Sequence, residues 1–264
     1  MLTFYSALIV LLFVVLGYGF GNVLFGDIFS LLFKKDVRKI GSGNVGGTNS
    51  IRAFGKLRGL SVMFLDAVKS YIAIICCWGI FIGTINDWFP DSHTLYALVY
   101  IGGLFAVIGH CFPIKFLMHL NYHHSATKWV GGKGMSSTAA IFFAISPYLG
   151  ISLFGIWFIV LLCSRYVSLS SILSSLTAPF LVFVKQLDLV YLFGNSIFNN
   201  TLFFVQEANF SEHLSMLLII FTILFLCSII ILIRHKTNLI NIRNKKERKI
   251  FDKKKENDKK QVQI

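Results

Sequence analysis

The sequence predicts an all-α, polytopic membrane protein of about seven transmembrane helices, two of them short, with its N-terminus outside and its C-terminus in the cytoplasm. Three observations carry this. The chain has 264 residues, of which 55% are hydrophobic, and its mean hydropathy is +0.71. Soluble domains of this length are less apolar, and a small globule has too little interior to hide 27 phenylalanines. The apolar residues fall in runs, several of them near the roughly 20 residues that cross a bilayer. Finally, the charge alternates between connections, and the overall balance is +13.

The first run, 3–25, has no basic residues before it and is longer than a signal-peptide core, so it reads as a span. Runs 60–82, 94–111 and 213–233 are further spans. Between 135 and 193 the chain is apolar but punctuated. Pro147 and Gly150 interrupt it, Arg165 interrupts it again, and Pro179 puts a bend in the last part. Two short helices over 136–146 and 149–163 and a longer one over 167–192 fit this pattern.

Lys/Arg bias then orients the spans. Residues 34–58 hold seven Lys/Arg against one Asp, and residues 234–264 hold twelve Lys/Arg against four Asp/Glu. Connections 84–93 and 186–213 carry only acidic charge. The basic connections belong in the cytoplasm and the acidic ones outside. Residues 1–250 are expected to form one membrane domain, followed by a basic, disordered or weakly helical tail over 251–264. A basic tail beside a span meets anionic lipid headgroups, so the bilayer rather than nucleic acid is its expected partner. The five cysteines sit in or beside apolar runs without ligand spacing, which predicts neither disulfides nor a metal. There is no internal repeat.

Residues 40–58, IGSGNVGGTNSIRAFGKLR, place five glycines beside Arg52, Lys56 and Arg58. Glycine lets backbone N–H groups approach an anion closely, and guanidinium and ammonium groups add charge-assisted donors. The stretch is neither a P-loop nor a dinucleotide fingerprint. A second Gly–Lys segment, WVGGKGMSST over 129–138, opens another apolar helix with Gly131, Gly132, Lys133 and Gly134, and GHCFP with His110 precedes it. In a third, Arg234, His235 and Asn238 share one helical face at the end of the last span. Asp66 and Lys69, one turn apart inside a span, are either functional or an ion pair steadying the helix end. Arg165, with Ser164, Ser168 and Ser171, either holds phosphate or packs helix on helix.

Together, GSGNVGGTNSIRAFGK, GHCFP followed by GGKG, SRYVSLSSI and RH-x-x-N resemble the bacterial acyl-phosphate:glycerol-3-phosphate acyltransferases, the PlsY family. The resemblance implies a seven-helix enzyme of the bacterial inner membrane. It would move an acyl chain from acyl phosphate, not from a thioester, to the 1-hydroxyl of sn-glycerol 3-phosphate. The products are lysophosphatidic acid and phosphate, the first step of phospholipid synthesis, with no cofactor and with a functional link to the enzyme that makes acyl phosphate. Some positions depart from the family. Gly47 replaces an alanine, and the connection over 114–130 is longer, with His119, His123 and His124 in it. Asn241 stands for an arginine and Lys245 for a glycine, while Glu247 matches.

On this reading Ser42, Arg52 and Lys133 bind phosphates, and backbone N–H groups of Gly41, Gly43, Gly46, Gly131, Gly132 and Gly134 complete the cradle. Asn44, Thr48 and Asn49 shape the first loop or bind glycerol oxygens. His235 and Asn238 orient the nucleophile. His235 is the best side-chain base, and a substrate phosphate oxygen is the alternative. Ser42, Lys133, His235 and Asn238 form the expected catalytic group. Lys56, Asp66, Lys69, His110, Arg165, Ser168 and Glu247 complete the expected substrate-binding group. The main rival is a transporter for a small phosphate-type anion, a class that also aims helix N-termini at anions. Against it, the Gly–Lys loops gather on one face rather than at the midplane.

Overall fold

A computed structural model describes residues 2–84, 93–114, 131–184 and 210–250. Most of both acidic connections, nearly all of the 114–130 insert, the last residues of the predicted 167–192 helix and the 251–264 tail lie outside the described residues. Every regular element among the described residues is helical. They are α1 (Leu2–Asn22), α2 (Phe25–Leu32), a 3₁₀ turn (Val37–Lys39), α3 (Gly47–Phe54), α4 (Lys56–Thr84), a second 3₁₀ segment (His93–Val99) and α5 (Tyr100–Cys111). After these come α6 (Met135–Ile145), α7 (Pro147–Ser164), α8 (Val167–Val184), α9 (Phe210–Arg234) and α10 (Lys236–Arg243).

Four helical segments are long and apolar enough to cross a membrane: Tyr5–Leu32, Lys56–Gly83, Pro147–Ser164 and Leu214–Arg234. Three shorter apolar helices, Tyr96–Cys111, Met135–Ile145 and Val167–Phe183, lie among them. Large apolar side chains such as Val15, Phe64, Phe154, Ile159, Phe180 and Ile233 remain exposed on the outer surface, where lipid is their solvent. Inside, Phe13, Ile74, Phe81, Ile141, Phe142, Leu153, Ile220 and Leu224 build one apolar cluster across the bundle. The chain is a multi-pass membrane protein.

Over 135–184 the helix boundaries fall at Pro147 and Arg165 as the sequence predicts, while Gly150 and Pro179 lie within helices. Pro147 occupies the first turn of α7, where its missing N–H costs nothing, and Arg165 closes α7 in a left-handed conformation with φ 61°. The start of the chain differs. The first run is the single helix α1, which stops at Asn22, and a further helix, α2, follows from Phe25 to Leu32 beyond the predicted span. The basic connection after it is also partly helical, and α3 is separated from α4 by Gly55 at φ 94°. α1 lies against α5, and α4 packs on both α5 and α6. The α1–α5 contact is close because small residues line it. A Cβ on Gly17 would collide with the Gly102 carbonyl, and one on Gly21 with that of Ala106.

Candidate active site

Asn49 makes the first loop a fixed shape. Its Oδ1 accepts from the Ser42 N–H at 3.0 Å, and its Nδ2 donates to the carbonyls of Val37 and Ile40, each at 2.9 Å. Gly41 and Gly43 turn the chain at φ 55° and 67°, a region that disfavours other residues. Gly46 is the N-cap of α3. With both Nδ2 protons donated and Oδ1 holding the Ser42 N–H, Asn49 ties together the two ends of the loop. Asn44 is also bonded on both sides: Oδ1 takes the Gly46 N–H at 2.8 Å, and Nδ2 reaches the Gly131 carbonyl at 3.2 Å. That second bond ties the first loop to the second. Ser42 is exposed at the loop's edge, and Thr48 and Arg52 lie one turn apart on α3. Arg52 runs along Gly41, where a Cβ would stand 3.2 Å from its Cδ. Lys56 is exposed at the first residue of α4.

The second loop, 131–134, is held on two sides. Gly132 donates its N–H to the His110 carbonyl at 2.9 Å. The Arg234 guanidinium donates to the carbonyls of Gly132 and Gly131, at 3.1 and 2.8 Å. Gly134 then enters α6 at φ 85°. Lys133 projects from this loop to α10, where Nζ meets Asn238 Oδ1 at 2.6 Å. Asn238 Nδ2 donates to Glu247 Oε1 at 2.7 Å, and the same oxygen accepts from Ser168 Oγ at 2.6 Å. These bonds form a chain, Lys133–Asn238–Glu247–Ser168, drawn from four parts of the sequence. Arg165 joins through its backbone: its carbonyl accepts the Ile250 N–H at 2.9 Å, while its side chain is exposed.

His235 sits between α9 and α10, with Nδ1 2.8 Å from the Ile231 carbonyl. A carbonyl only accepts, so Nδ1 carries the proton and Nε2 keeps its lone pair. Burial first, then the Lys133 charge, pushes the imidazole down to about 4, against the opposing Ile231 bond. The ring is therefore neutral at physiological pH. Burial likewise brings Lys133 down to about 8, with Arg52 and Arg234 adding to the effect and Glu247 opposing it. Arg52 is lowered by burial and by Arg248, again against Glu247. Glu247 acts on both Arg52 and Lys133, and Lys133 acts on His235, which puts these four side chains in one electrostatic neighbourhood.

Asp66, Lys69 and His110, three of the expected binding residues, form a network of their own. They lie beneath the loops, buried at 2–4% exposure, and engage one another. Lys69 Nζ is 2.9 Å from Asp66 Oδ1 and 3.0 Å from His110 Nδ1, and it donates to the carbonyls of Gly21 and Val23 at the end of α1. All of its donors are spent on the protein. The His110 ring lies directly under Gly132, where a Cβ would strike it.

A sequence model of the family described as glycerol-3-phosphate acyltransferase matches residues 11–245, which include both glycine-rich loops and Arg234, His235 and Asn238. The chain belongs to this family. A glycerol-3-phosphate acyltransferase of Malacoplasma penetrans is 34% identical over 261 residues, covering 93% of this chain and 96% of that protein. One from Thermosipho melanesiensis is 35% identical over 178 residues, covering 67% and 76%. Among solved structures, PlsY, an integral membrane glycerol 3-phosphate acyltransferase in its glycerol 3-phosphate form, superposes with a TM-score of 0.65. It is 26% identical, and the match covers 91% of this chain and 95% of that one.

Arg234 is the residue at this site to which sequence reasoning gives no role. It looks like an ordinary basic stop at the end of a span, and a side chain whose partners are two distant backbone carbonyls leaves no spacing pattern to find.

Proposed function

We propose that the chain transfers an acyl group from acyl phosphate to the 1-hydroxyl of sn-glycerol 3-phosphate, releasing lysophosphatidic acid and phosphate. Its loops face the cytoplasm, its N-terminus lies outside, and it works downstream of an enzyme that makes acyl phosphate. The observation that carries the reading is the convergence of Arg52, Lys133 and a neutral His235 at the rim of an apolar bundle. A phosphorylated polyol reaches that rim from water, and an acyl chain reaches it from lipid.

Acyl phosphate is a mixed anhydride whose phosphate leaves readily, so no acyl-enzyme is needed. The hydroxyl oxygen attacks the acyl carbonyl, its proton is removed, and the carbon–oxygen bond to phosphate breaks. Holding the two substrates in line supplies on the order of 7–11 kcal/mol. Arg52 and Lys133 bind the phosphates, with Ser42 and the loop N–H groups around them, and stabilise the charge that develops on the leaving group. Asn238 holds Lys133 in place. His235 offers Nε2 to the hydroxyl. Burial and the Lys133 charge lower its basicity, and a phosphate dianion beside it raises it.

The test is purified protein with radiolabelled glycerol 3-phosphate and palmitoyl phosphate. Labelled lysophosphatidate is the expected product. Failure to form it, or accumulation of unmodified label inside proteoliposomes, overturns the reading.

A further inference from the structure

We propose that Arg234 is a positioning residue for the phosphate-binding loop that carries Lys133. The inference rests on the acyltransferase reading above. The guanidinium spans two consecutive peptide groups, Nε to the Gly132 carbonyl at 3.1 Å and Nη2 to the Gly131 carbonyl at 2.8 Å. A peptide unit is planar with its C=O and N–H opposed, so drawing both carbonyls to one side turns the N–H groups of Gly132 and Lys133 to the other. The Gly132 N–H duly meets the His110 carbonyl on that opposite side. The loop is thereby clamped between Arg234 on one face and His110 on the other. Asn44 shares the Gly131 carbonyl and couples the clamp to the first loop.

The shape of the guanidinium matters as well as its charge. Two successive carbonyls match a planar fork, which an ammonium group does not offer. The fork is itself braced, with its carbon 5.5 Å from the centre of the Phe112 ring. Charge alone argues against any other service to Lys133, because Arg234 repels the Lys133 ammonium and helps to lower its affinity for protons. Arg234 also ends α9, immediately before His235 and one helical turn before Asn238. The same turn therefore sets the loop, presents the imidazole and receives the lysine. A register error at Arg234 displaces Lys133 relative to both neighbours.

The experiment compares wild type with Arg234→Lys and Arg234→Ala in detergent, measuring three things. These are lysophosphatidate formation, with KM for glycerol 3-phosphate and kcat read separately; thermal shift on adding glycerol 3-phosphate without acyl donor; and rescue of Arg234→Ala by methylguanidinium or by butylammonium. Arg234→Lys, which keeps the charge and the fold, is expected to lose about a hundredfold in kcat/KM and to show a weakened glycerol 3-phosphate shift. Methylguanidinium should restore part of the activity of Arg234→Ala, and butylammonium should not. Wild-type KM and kcat in Arg234→Lys, or equal rescue by both cations, overturns the inference. An inactive wild type that still binds glycerol 3-phosphate instead overturns the acyltransferase reading, and the thermal shift of Arg234→Lys still tests the clamp.

Discussion

Lys69 and Lys133 head two polar networks of similar composition, one sealed and one open. Each lysine is joined to a second polar side chain and shares its neighbourhood with a carboxylate: Lys69 with His110 and Asp66, Lys133 with Asn238 and Glu247. Lys69 is 4% exposed, and its donors are met by two backbone carbonyls, an imidazole and a carboxylate. Among the described residues Lys133 has one hydrogen-bond acceptor, Asn238 Oδ1, and it lies at the rim. A buried network whose lysine is fully engaged holds helices together. An open one with donors to spare has free energy to give to a ligand.

Crossing the two lysines should therefore separate activity from stability. Lys133→Ala is expected to lower lysophosphatidate formation by at least about a hundredfold, as removal of a preorganised charge at a leaving group does, with little change in unfolding temperature. Lys69→Met leaves Asp66 buried and unpaired, and should cost about 3–5 kcal/mol of stability. Its residual folded fraction should keep a normal KM for glycerol 3-phosphate. Thermal unfolding in detergent alongside the radiolabel assay checks both. Equal destabilisation by the two substitutions would erase the distinction between the networks.

A pH profile sharpens the same contrast. Lys133 must be protonated to bind phosphate and His235 neutral to accept a proton, so kcat/KM should hold from about 4 to about 8 and fall above that, as Lys133 loses its proton. The effect on stability has the opposite sign. The lysine's affinity for protons is depressed on folding from 10.5 to about 8, so between those values the unfolded chain binds more protons. This group's contribution to stability therefore rises with pH over the range in which activity is lost. Parallel loss of both above pH 8 would show that Lys133 titrates elsewhere.

Much of this is legible in the sequence, and the reason differs from place to place. Spans are legible because lipid demands continuous apolar length, and the breaks at Pro147 and Arg165 follow from missing or misdirected backbone donors. The Gly–Lys loops are legible because few other jobs require glycine beside lysine. The short α2 is not, since its eight residues follow the end of the first apolar run and are too few to show a helical period. The setting of Asp66, Lys69 and His110 is not legible, because the Lys69 partners include the carbonyls of Gly21 and Val23, which no pattern reveals. Asn49 carries two expected roles in the sequence, and its three hydrogen bonds to the loop are not legible there.

The smallest expected effect lies where the open network is tied down. After α10 the chain turns through a Schellman-type ending. Lys246 N–H meets the Asn241 carbonyl at 2.7 Å, Lys245 N–H meets that of Ile242 at 3.0 Å, and Lys245 itself is left-handed at φ 55°. This turn delivers Glu247 to Asn238 and Ser168, while Lys249 lies 5.5 Å over the Tyr166 ring. The backbone at Lys245 favours glycine, because a Cβ in this region costs roughly 1–2 kcal/mol per residue. Part of the gain from glycine is returned through the freer unfolded chain. Lys245→Gly should therefore raise stability by about 0.5–1 kcal/mol, read as a rise of a few degrees or less in unfolding temperature. Lys245→Ala keeps the Cβ and should gain nothing. If alanine stabilises as much as glycine, the residue is not left-handed and the turn does not hold Glu247 in this way. If glycine alone does, the turn belongs to the open network, and its cost falls on the part of the molecule that binds rather than the part that packs.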